Sequence, residues 1–365
     1  MKILQLINSL DYGGAEVLLK DLIIQFRKLG VIVDVAVLKK LDSKIEEELL
    51  HDGIKILYLD QKSIYNPMHV ASLNKLIKDY DIIHVHLFPS QLWMAVSMMI
   101  SNCKRPIITT EHSTHNRRRV SWFRPIDRWM YNRMDSIVCI SDGTKHSLVD
   151  WLPNLSDKVV VINNGIHVTR FSSAKPKQSK IDIIGVDAPL ILSIGRFQPE
   201  KDHRTLLKAV ALVEEAHLLL VGDGVLLGEM KQLADDLHIK HRVHFLGRRN
   251  NVPELIKLAD VYVQPSIWEG FGIAALEAMA GGTPVIASKV SGLQELVGDA
   301  GILFEPGDYD ELANKLKIIL NDEDYRQQLS NKGAARSLQF DIKSSALEYV
   351  NLYNQKLKSN SSSMD

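Results

Sequence analysis

Residues 266–288 read SIWEGFGIAALEAMAGGTPVIAS, in which a glycine-flanked turn leads directly into an apolar helix. Glu269 precedes the Gly270-Phe271-Gly272 turn and Glu277 lies on the helix, with seven residues between the two glutamates. The first N–H groups of a helix have no partner within it, so they and the positive end of the helix dipole can hold a phosphate or sugar hydroxyls. Glu277 can accept hydrogen bonds from a vicinal diol such as that of a ribose. The simpler alternative is an acidic turn followed by an exposed helix glutamate.

Two cations follow a predicted strand in the same half of the chain. The strand Leu190–Ile194 leads into Gly195-Arg196, and Lys201 stands five residues beyond Arg196. Arginine offers a planar fork that matches phosphate, and lysine acts as a mobile point charge. The spacing predicts two cations over one anion, and the alternative is a turn with two solvated side chains.

A glycine pair marks another strand-to-helix turn. Lys2–Ile7 is typical of a buried strand, and Gly13-Gly14 stands just before Glu16, where an apolar-periodic helix begins. Glycines allow a tight turn and the close approach of a ligand to the backbone. The run does not match the G-x-G-x-x-G dinucleotide fingerprint, and a purely structural glycine pair is the alternative.

Composition and length narrow the class of protein. The chain has 365 residues, 45% hydrophobic and 24% charged, which is ordinary for globular proteins and favours two or three domains. Zero formal net charge leaves no global field to recruit nucleic acid, so no nucleic-acid partner is expected. Cys103 and Cys139 form no disulfide framework, and the longest apolar run, Leu92 to Ile100, is far shorter than the roughly 20 residues that cross a bilayer. We therefore predict a cytoplasmic protein.

Short apolar strands alternate with helical patterns such as Glu16–Leu29 and Pro67–Asp79. Strands are predicted at Ile3–Ile7, Ile32–Val37, Lys55–Leu59, Ile82–His86, Ile107–Thr110, Ser136–Ile140, Val159–Ile162, Leu190–Ile194, His217–Val221, Val243–Leu246, Val261–Gln264, Val285–Ala287 and Ile302–Phe304. Continuous apolar runs between helices are typical of parallel sheets covered on both faces. The sequence thus predicts an α/β fold with two doubly wound units facing a cleft outside the strand carboxyl ends.

Together these motifs resemble those of the retaining glycosyltransferases of family 4, which have the GT-B fold. The two spaced glutamates, Arg196 with Lys201, and the GGAE run Gly13–Glu16 carry the resemblance, which covers nearly the whole chain. Further family-like segments are Val221–Gly224, Phe245–Gly247, Leu258–Ser266 and Gly292-Leu293. The resemblance implies two Rossmann-like domains and the bacterial type of enzyme that builds O-antigen or capsule. At Ala274 and Ala275, where the family often has a bulkier aliphatic residue, the chain departs from the pattern.

The resemblance also implies a division of the chain. Residues 1–168 would form the acceptor-side domain and residues 169–340 the nucleotide-sugar-binding domain. A helix over 341–357 would return to the first domain, and the Ser- and Asn-rich tail 358–365 is predicted to be disordered. The polar, basic stretch Ser172–Lys180 is predicted to be a loop on or near the linker.

Four residues receive a catalytic role from the resemblance. Arg196 and Lys201 would hold the nucleotide diphosphate and neutralise it as it leaves, while Glu269 would position the donor sugar. His112, at a predicted strand end, would contact that sugar near the reacting carbon, and its alternative is a hydrogen-bonded loop histidine. Backbone near position 247 would read the base. The full donor-binding set that the resemblance implies is Gly13, Gly14, Gly195, Arg196, Lys201, Gly247, Arg248, Glu269, Gly270, Phe271, Gly272, Ile273 and Glu277.

No metal ion or other cofactor is expected. His84 and His86 are two apart on one predicted strand and therefore face the same side, but no third ligand with suitable spacing accompanies them. The D-x-D matches at Asp79–Asp81 and Asp308–Asp310 are interpreted as a helix end and a helix cap.

The implied reaction moves a sugar from a nucleoside diphosphate sugar, a UDP-sugar in our prediction, to a hydroxyl of a glycan or of a polyprenyl-diphosphate-linked acceptor. Configuration would be retained and no metal would take part. A sugar-nucleotide epimerase of the same fold is the alternative, and it would act without an acceptor.

A basic, aromatic segment lies in the predicted acceptor-side half. Residues 115–133 hold six arginines and a single acidic residue, Asp127, interleaved with aromatic side chains such as Trp122 and Trp129. Such a composition is typical of a surface that rests on an anionic bilayer. We predict that Arg117–Arg133 brings the protein to the inner face of the cytoplasmic membrane, the alternative being an ordinary helix with a solvated arginine face.

Overall fold

The computed structural model describes residues 1–11, 13–60, 62–101, 104–116 and 118–362, with only the backbone for 361 and 362. Cys103, Arg117 and the last three residues of the predicted tail lie outside these ranges. The chain divides into two compact units. The first comprises Met1–Gly165 together with the chain from Ile342 onward, and the second is the continuous stretch Ile166–Asp341.

The first unit alternates strands and helices around a parallel sheet ordered β3-β2-β1-β4-β5-β6-β7. Its strands are β1 (Lys2–Ile7), β2 (Ile32–Val37), β3 (Ile56–Tyr58), β4 (Ile82–His86), β5 (Ile107–Glu111), β6 (Ser136–Cys139) and β7 (Val159–Val161). Its helices up to this point are α1 (Gly14–Lys28), α2 (Lys44–His51), α3 (His69–Leu76), α4 (Ser90–Ser101), α5 (Arg124–Tyr131) and α6 (Asp142–Trp151). Every residue of β4 and β5 is buried, which explains why these strands do not alternate between buried apolar and exposed polar residues.

The second unit repeats this scheme with the sheet order β10-β9-β8-β11-β12-β13. Its strands are β8 (Leu190–Ile194), β9 (His217–Val221), β10 (Val243–Gly247), β11 (Val261–Gln264), β12 (Val285–Ser288) and β13 (Ile302–Phe304). Its helices are α7 (Val168–Ser172), α8 (Lys180–Ile184), α9 (His203–Ala211), α10 (Leu227–Asp236), α11 (Val252–Leu258), α12 (Ile273–Gly281), α13 (Leu293–Val297), α14 (Tyr309–Asn321) and α15 (Glu323–Ser337). Because β8 and β11 are neighbours, the chain reverses its winding direction there, and the loops after these two strands meet at the carboxyl edge.

Helix α16 (Ile342–Ser362) belongs to the first unit and completes its core. The ring of Phe26 in α1 meets Tyr349 and Tyr353 of α16 edge-on, with centroids 6.1 and 5.7 Å apart. These rings are buried in one cluster with Ile3 and Ile7 of β1. Full burial of a large apolar side chain contributes roughly 1.5–3 kcal/mol, so this helix is a substantial part of the stability of the first unit.

The prediction of an α/β fold with doubly wound units is confirmed, and each predicted strand is present with both ends within one residue of the observed ones. The tail differs from expectation. Residues 358–362, predicted to be disordered, continue α16, where Lys356 Nζ donates to Asp135 O and Asn360 Nδ2 to Lys104 O, both at 2.9 Å. The polar stretch predicted near the linker lies inside the second unit, between α7 and α8, because α7 packs on α12.

Candidate active site

The carboxyl ends of β8, β9 and β10 bring three loops of the second unit into backbone contact. Gly195 N donates to Val221 O at 2.9 Å, and Gly222 N donates to Gly247 O at 3.0 Å. Gly222 has a φ of +144°, and a Cβ at that position would overlap the carbonyl oxygen of Gly195. The sheet therefore gathers positions 195, 222 and 247, which the sequence spreads over more than fifty residues, along one edge.

Lys201 and Glu269 form an ion pair at this edge. Lys201 Nζ lies 2.5 Å from Glu269 Oε2, and the two side chains are only 21% and 17% exposed. Lys201 ends a short 3₁₀ turn after β8, Glu269 follows β11, and Ile267 N ties the two loops by donating to Glu200 O at 2.8 Å. The resemblance assigned both residues to one donor site, and the structure brings their side chains together.

A chain of hydrogen bonds that leads to Glu269 was not predicted from the sequence. The Tyr262 hydroxyl donates to Gln264 Oε1, and Gln264 Nε2 donates to Ser266 Oγ at 2.8 Å and to Glu269 Oε2 at 3.4 Å. Ser266 Oγ also donates to Glu269 Oε2 at 3.3 Å. Burial and the negative charges of Glu277 and Glu269 raise the pKa of Tyr262 well above its usual range, so this phenol stays a donor. The one signal of this role in the sequence is the alternation of polar residues at 262 and 264 on a buried strand and at 266 just beyond its end.

The glycine turn positions the start of α12. Gly272 is its N-cap with a φ of +98°, a left-handed conformation that suits glycine. The Phe271 ring is buried against Phe340, with centroids 5.5 Å apart, so that position can offer a ligand its backbone rather than its ring. Ile273 starts the helix half-buried, and Glu277 lies one turn further along, also half-buried.

Two arginines lie exposed at the same edge. Among the described residues, the guanidinium of Arg196 makes no ion pair, and its backbone follows directly on Gly195. Arg248 Nε lies 3.8 Å from Asp223 Oδ2, and both of these side chains are largely exposed. Arg196 is thus a cation available for an anion, whereas Lys201 already has a carboxylate partner.

In the first unit, Gly13 and Gly14 form the N-terminus of α1. Gly13 is the N-cap, and a Cβ there would overlap the carboxylate of Glu16, whereas a Cβ on Gly14 would meet nothing within 4 Å. The Glu16 carboxylate stabilises the positive end of the helix. The open space beside Gly14 is consistent with close approach of a ligand to the first N–H groups of α1.

His112 follows β5 and contacts His86 of β4, with 3.1 Å between His112 Nε2 and His86 Nδ1. Burial lowers the pKa of His112 to about 4, so the ring is neutral at pH 7. His84 and His86 lie on one face of β4, as predicted, with ring centroids 4.2 Å apart. In the part of the chain that the structure describes, no group of three or more His, Cys, Asp or Glu side chains is arranged to hold a metal ion.

The basic segment before and within α5 differs from the predicted free arginine surface. Arg118 Nη1 pairs with the buried Asp127 at 3.4 Å, and Arg119 Nη2 lies 3.6 Å from Glu111 Oε2. Both arginine side chains are mostly buried, and their charges partly offset the cost of burying the two carboxylates. Arg128 remains exposed, and Trp122 is 74% exposed. No helix of the described ranges is both long and apolar enough to cross a membrane.

Comparisons with known proteins agree with this geometry. Residues 12–170 match the family model described as Glycosyltransferase Family 4, and residues 174–336 match that of glycosyl transferases group 1. An uncharacterised glycosyltransferase of Methanocaldococcus jannaschii is 31% identical, with 76% of each chain covered. The Escherichia coli UDP-Gal:α-D-GlcNAc-diphosphoundecaprenol α-1,3-galactosyltransferase is 29% identical over 73% of this chain and 72% of its own.

Among solved structures, the Anabaena protein HepE in complex with UDP and glucose superposes with a TM-score of 0.85 at 25% identity. The match covers 97% of this chain and 99% of HepE. The two parallel sheets, the loops gathered at the carboxyl edge of the second and the matches along both halves lead to one conclusion. The chain belongs to the family 4 glycosyltransferases of the GT-B fold.

Proposed function

We propose that this glycosyltransferase moves a sugar from a UDP-sugar to a hydroxyl of a lipid-linked glycan, with retention of configuration and without a metal ion. The Lys201–Glu269 pair beside the exposed Arg196 is the observation that carries this proposal. Two relatives support the chemistry of the substrates. HepE was solved with UDP and glucose, and the Escherichia coli relative is named for UDP-galactose and a diphosphoundecaprenol-linked sugar.

The proposed reaction breaks the bond between the anomeric carbon and the diphosphate oxygen, and the diphosphate leaves with the electron pair. The acceptor hydroxyl bonds to the anomeric carbon on the same face and gives its proton to the departing phosphate. Arg196 and Lys201 stabilise the negative charge that develops on the leaving group. Each charge-assisted hydrogen bond contributes about 1.5–3 kcal/mol, so the two cations and the N–H groups at the start of α12 act together. Glu269, held by Lys201 and Ser266, positions the sugar hydroxyls.

Incubation with UDP-, GDP- and ADP-sugars without acceptor is expected to give slow release of UDP from one donor, with the rate unchanged by EDTA. Glu277→Ala is expected to weaken donor binding by about 10- to 100-fold, because the ribose diol loses a charged acceptor. The exposed Glu323→Ala on α15 serves as the matched control and should bind the donor as the wild type does. Nucleotide release and sugar identity are followed by chromatography.

Three outcomes would contradict parts of this proposal. An epimerised sugar still attached to its nucleotide would move the protein to the epimerase reaction of the same fold. Loss of turnover in EDTA, restored by a divalent cation, would refute independence from metals. Release of GDP or ADP rather than UDP would show that the donor is a GDP-sugar or an ADP-sugar and would refute the proposed UDP-sugar.

We further propose that the exposed part of the α5 region, Trp122 with Arg128, rests on the anionic inner face of the cytoplasmic membrane, where a polyprenyl-linked acceptor is found. Trp122→Ser/Arg128→Gln is expected to reduce flotation with anionic vesicles several-fold, since the double variant removes both the aromatic anchor and an exposed cation. Neutralising Arg118 or Arg119 would be a poor test, because it would also leave Asp127 or Glu111 without its partner.

The matched control for flotation is Lys317→Gln/Ile318→Ser on α14, which removes an exposed cation and an exposed apolar residue from the second unit. Wild-type protein that stays at the bottom of the gradient with anionic vesicles would refute membrane docking. Equal losses in the two double variants would refute its assignment to α5.

A further inference from the structure

A buried chain of polar side chains in the first unit connects α16 to His112. It includes Gln5 of β1, His84 and His86 of β4, and Tyr353 of α16, each at most 2% exposed. A buried polar group destabilises the fold unless it has a hydrogen-bond partner, and here each member of the chain has one. Because His112 is the end of this chain nearest to solvent, the proton positions along it decide what His112 offers to a ligand.

The orientation of the Gln5 amide determines which ring nitrogen of His86 carries a proton. Its Nε2 donates to the Tyr353 hydroxyl at 3.4 Å, and its Oε1 lies 2.8 Å from His86 Nε2. A carbonyl oxygen can only accept, so His86 must carry its proton on Nε2. Burial, with the neighbouring histidines, lowers the pKa of His86 well below its usual range, and the ring is therefore neutral with an unprotonated Nδ1.

His86 in turn fixes the proton of His112. The unprotonated His86 Nδ1 lies 3.1 Å from His112 Nε2, so His112 Nε2 is the donor of this hydrogen bond. Since the His112 ring is also neutral, its Nδ1 carries a lone pair. Within the described residues, the His112 ring forms a hydrogen bond with His86 and with no other residue. His112 is half-buried, so solvent or a ligand can reach it.

The second branch of the chain agrees with the same amide orientation. Tyr353, which accepts from Gln5, can donate to His84 Nδ1 at 2.7 Å, and His84 Nε2 then donates to Thr110 Oγ1 at 2.7 Å. Rotating the Gln5 amide by 180° would reverse the donors and acceptors between Gln5, His86 and His112. Gln5 thus sets the tautomers of His86 and His112, and the contacts of His84 are compatible with the same amide orientation.

We propose that Gln5 and His86 are positioning residues that hold His112 as its Nε2–H tautomer, so that His112 Nδ1 accepts a hydrogen bond from a sugar hydroxyl. The inference rests on the proposed glycosyltransferase function for its ligand, but not for the proton positions themselves. An accepting nitrogen selects a group that can donate. A hydroxyl fits this position, whereas the carboxylate of a uronic acid, which only accepts, would be repelled.

The direct test is ¹⁵N NMR of histidine-labelled protein without any ligand, in which the two ring nitrogens of a neutral histidine give well-separated shifts. The expected result for His112 is a protonated Nε2 and an unprotonated Nδ1. Gln5→Leu is expected to give a mixture of His112 tautomers. The matched control Gln91→Leu removes another buried glutamine of the same unit, one that bonds Thr109 rather than a histidine, and should leave the His112 shifts unchanged.

Rescue by a conservative change separates positioning from general packing. His86→Asn keeps an accepting oxygen that can replace Nδ1, whereas His86→Leu keeps only the bulk. We expect His86→Leu and Gln5→Leu to lower the rate of donor turnover about tenfold, the size of one lost hydrogen bond, with recovery of most of that loss in His86→Asn. Adding the UDP-sugar, but not UDP, should shift the His112 Nδ1 resonance.

A wild-type His112 protonated on Nδ1 would overturn the proposal, because the Gln5 amide would then have the opposite orientation. An unchanged tautomer in Gln5→Leu would also overturn it. If the tautomers are as expected but UDP binding and turnover are absent for every donor, the failure lies in the proposed donor chemistry, and the assignment of Gln5 and His86 stands.

Discussion

The Lys201→Ala variant is expected to lose about two to three orders of magnitude in kcat/KM for the donor while remaining folded. Removing one preorganised donor from a site that stabilises a leaving anion has an effect of this size. Glu269 would also lose its partner at 2.5 Å, although Ser266 and Gln264 would still donate to it. Steady-state turnover of the donor that the nucleotide-sugar assay identifies measures the loss, and circular dichroism verifies the fold.

Two further variants make this result specific. Lys240→Ala removes a lysine whose ion pair with Asp235, at 3.2 Å, is largely exposed, so turnover should stay within about twofold of the wild type. Lys201→Arg keeps the positive charge but replaces the compact ammonium group by a planar guanidinium group, so partial activity is expected. If Lys201→Ala turns over within threefold of the wild type, Lys201 has no part in stabilising the leaving group.

The Gly222→Ala variant is expected to destabilise the second unit by about 2–5 kcal/mol and to abolish most donor binding. Its φ of +144° is unfavourable for alanine, and the added Cβ would overlap the Gly195 carbonyl, a backbone atom that cannot rotate away. The loop that carries Arg196 would have to move. Urea denaturation and hydrogen exchange of the β8 and β9 amides measure the effect.

Gly307→Ala separates backbone strain from steric overlap. Gly307 has a φ of +83°, but a Cβ there would meet nothing within 4 Å, so only the strain of about 1–2 kcal/mol applies. Equal destabilisation in both variants would show that contact between the loops after β8 and β9 is unimportant. Normal donor binding in a destabilised Gly222→Ala would show that the Arg196 loop does not depend on this contact.

Local patterns in the sequence predict the strands well because both faces of each parallel sheet are covered. Runs such as Leu190–Ile194 are apolar throughout for this reason, and their ends are marked by the glycines that follow. The assignment of Lys201 and Glu269, 68 residues apart, to one site came from the resemblance rather than from spacing, and their ion pair was not predicted, since neither residue carries a local signal of the other.

Long-range polar contacts could not be predicted in the same way. Gln5 and Tyr353 are separated by 348 residues, and nothing near either one indicates the other. The arginines near α5 illustrate the opposite error. Their clustering predicted an exposed basic surface, but Arg118 and Arg119 pair with Asp127 and Glu111 and are mostly buried, and the carboxylate of Glu111 lies on a different element.

The return of α16 to the first unit sets the order in which the two units are completed on the ribosome. The second unit is one uninterrupted stretch, Ile166–Asp341, so its whole chain has been synthesised before the first residue of α16. The first unit begins earlier, but Phe26 and Gln5 must wait for Tyr349 and Tyr353 before they are covered. Until α16 is made, the apolar side chains of α1 that it covers in the folded protein stay exposed throughout the synthesis of the second unit, and such exposed apolar surface favours aggregation of a nascent chain.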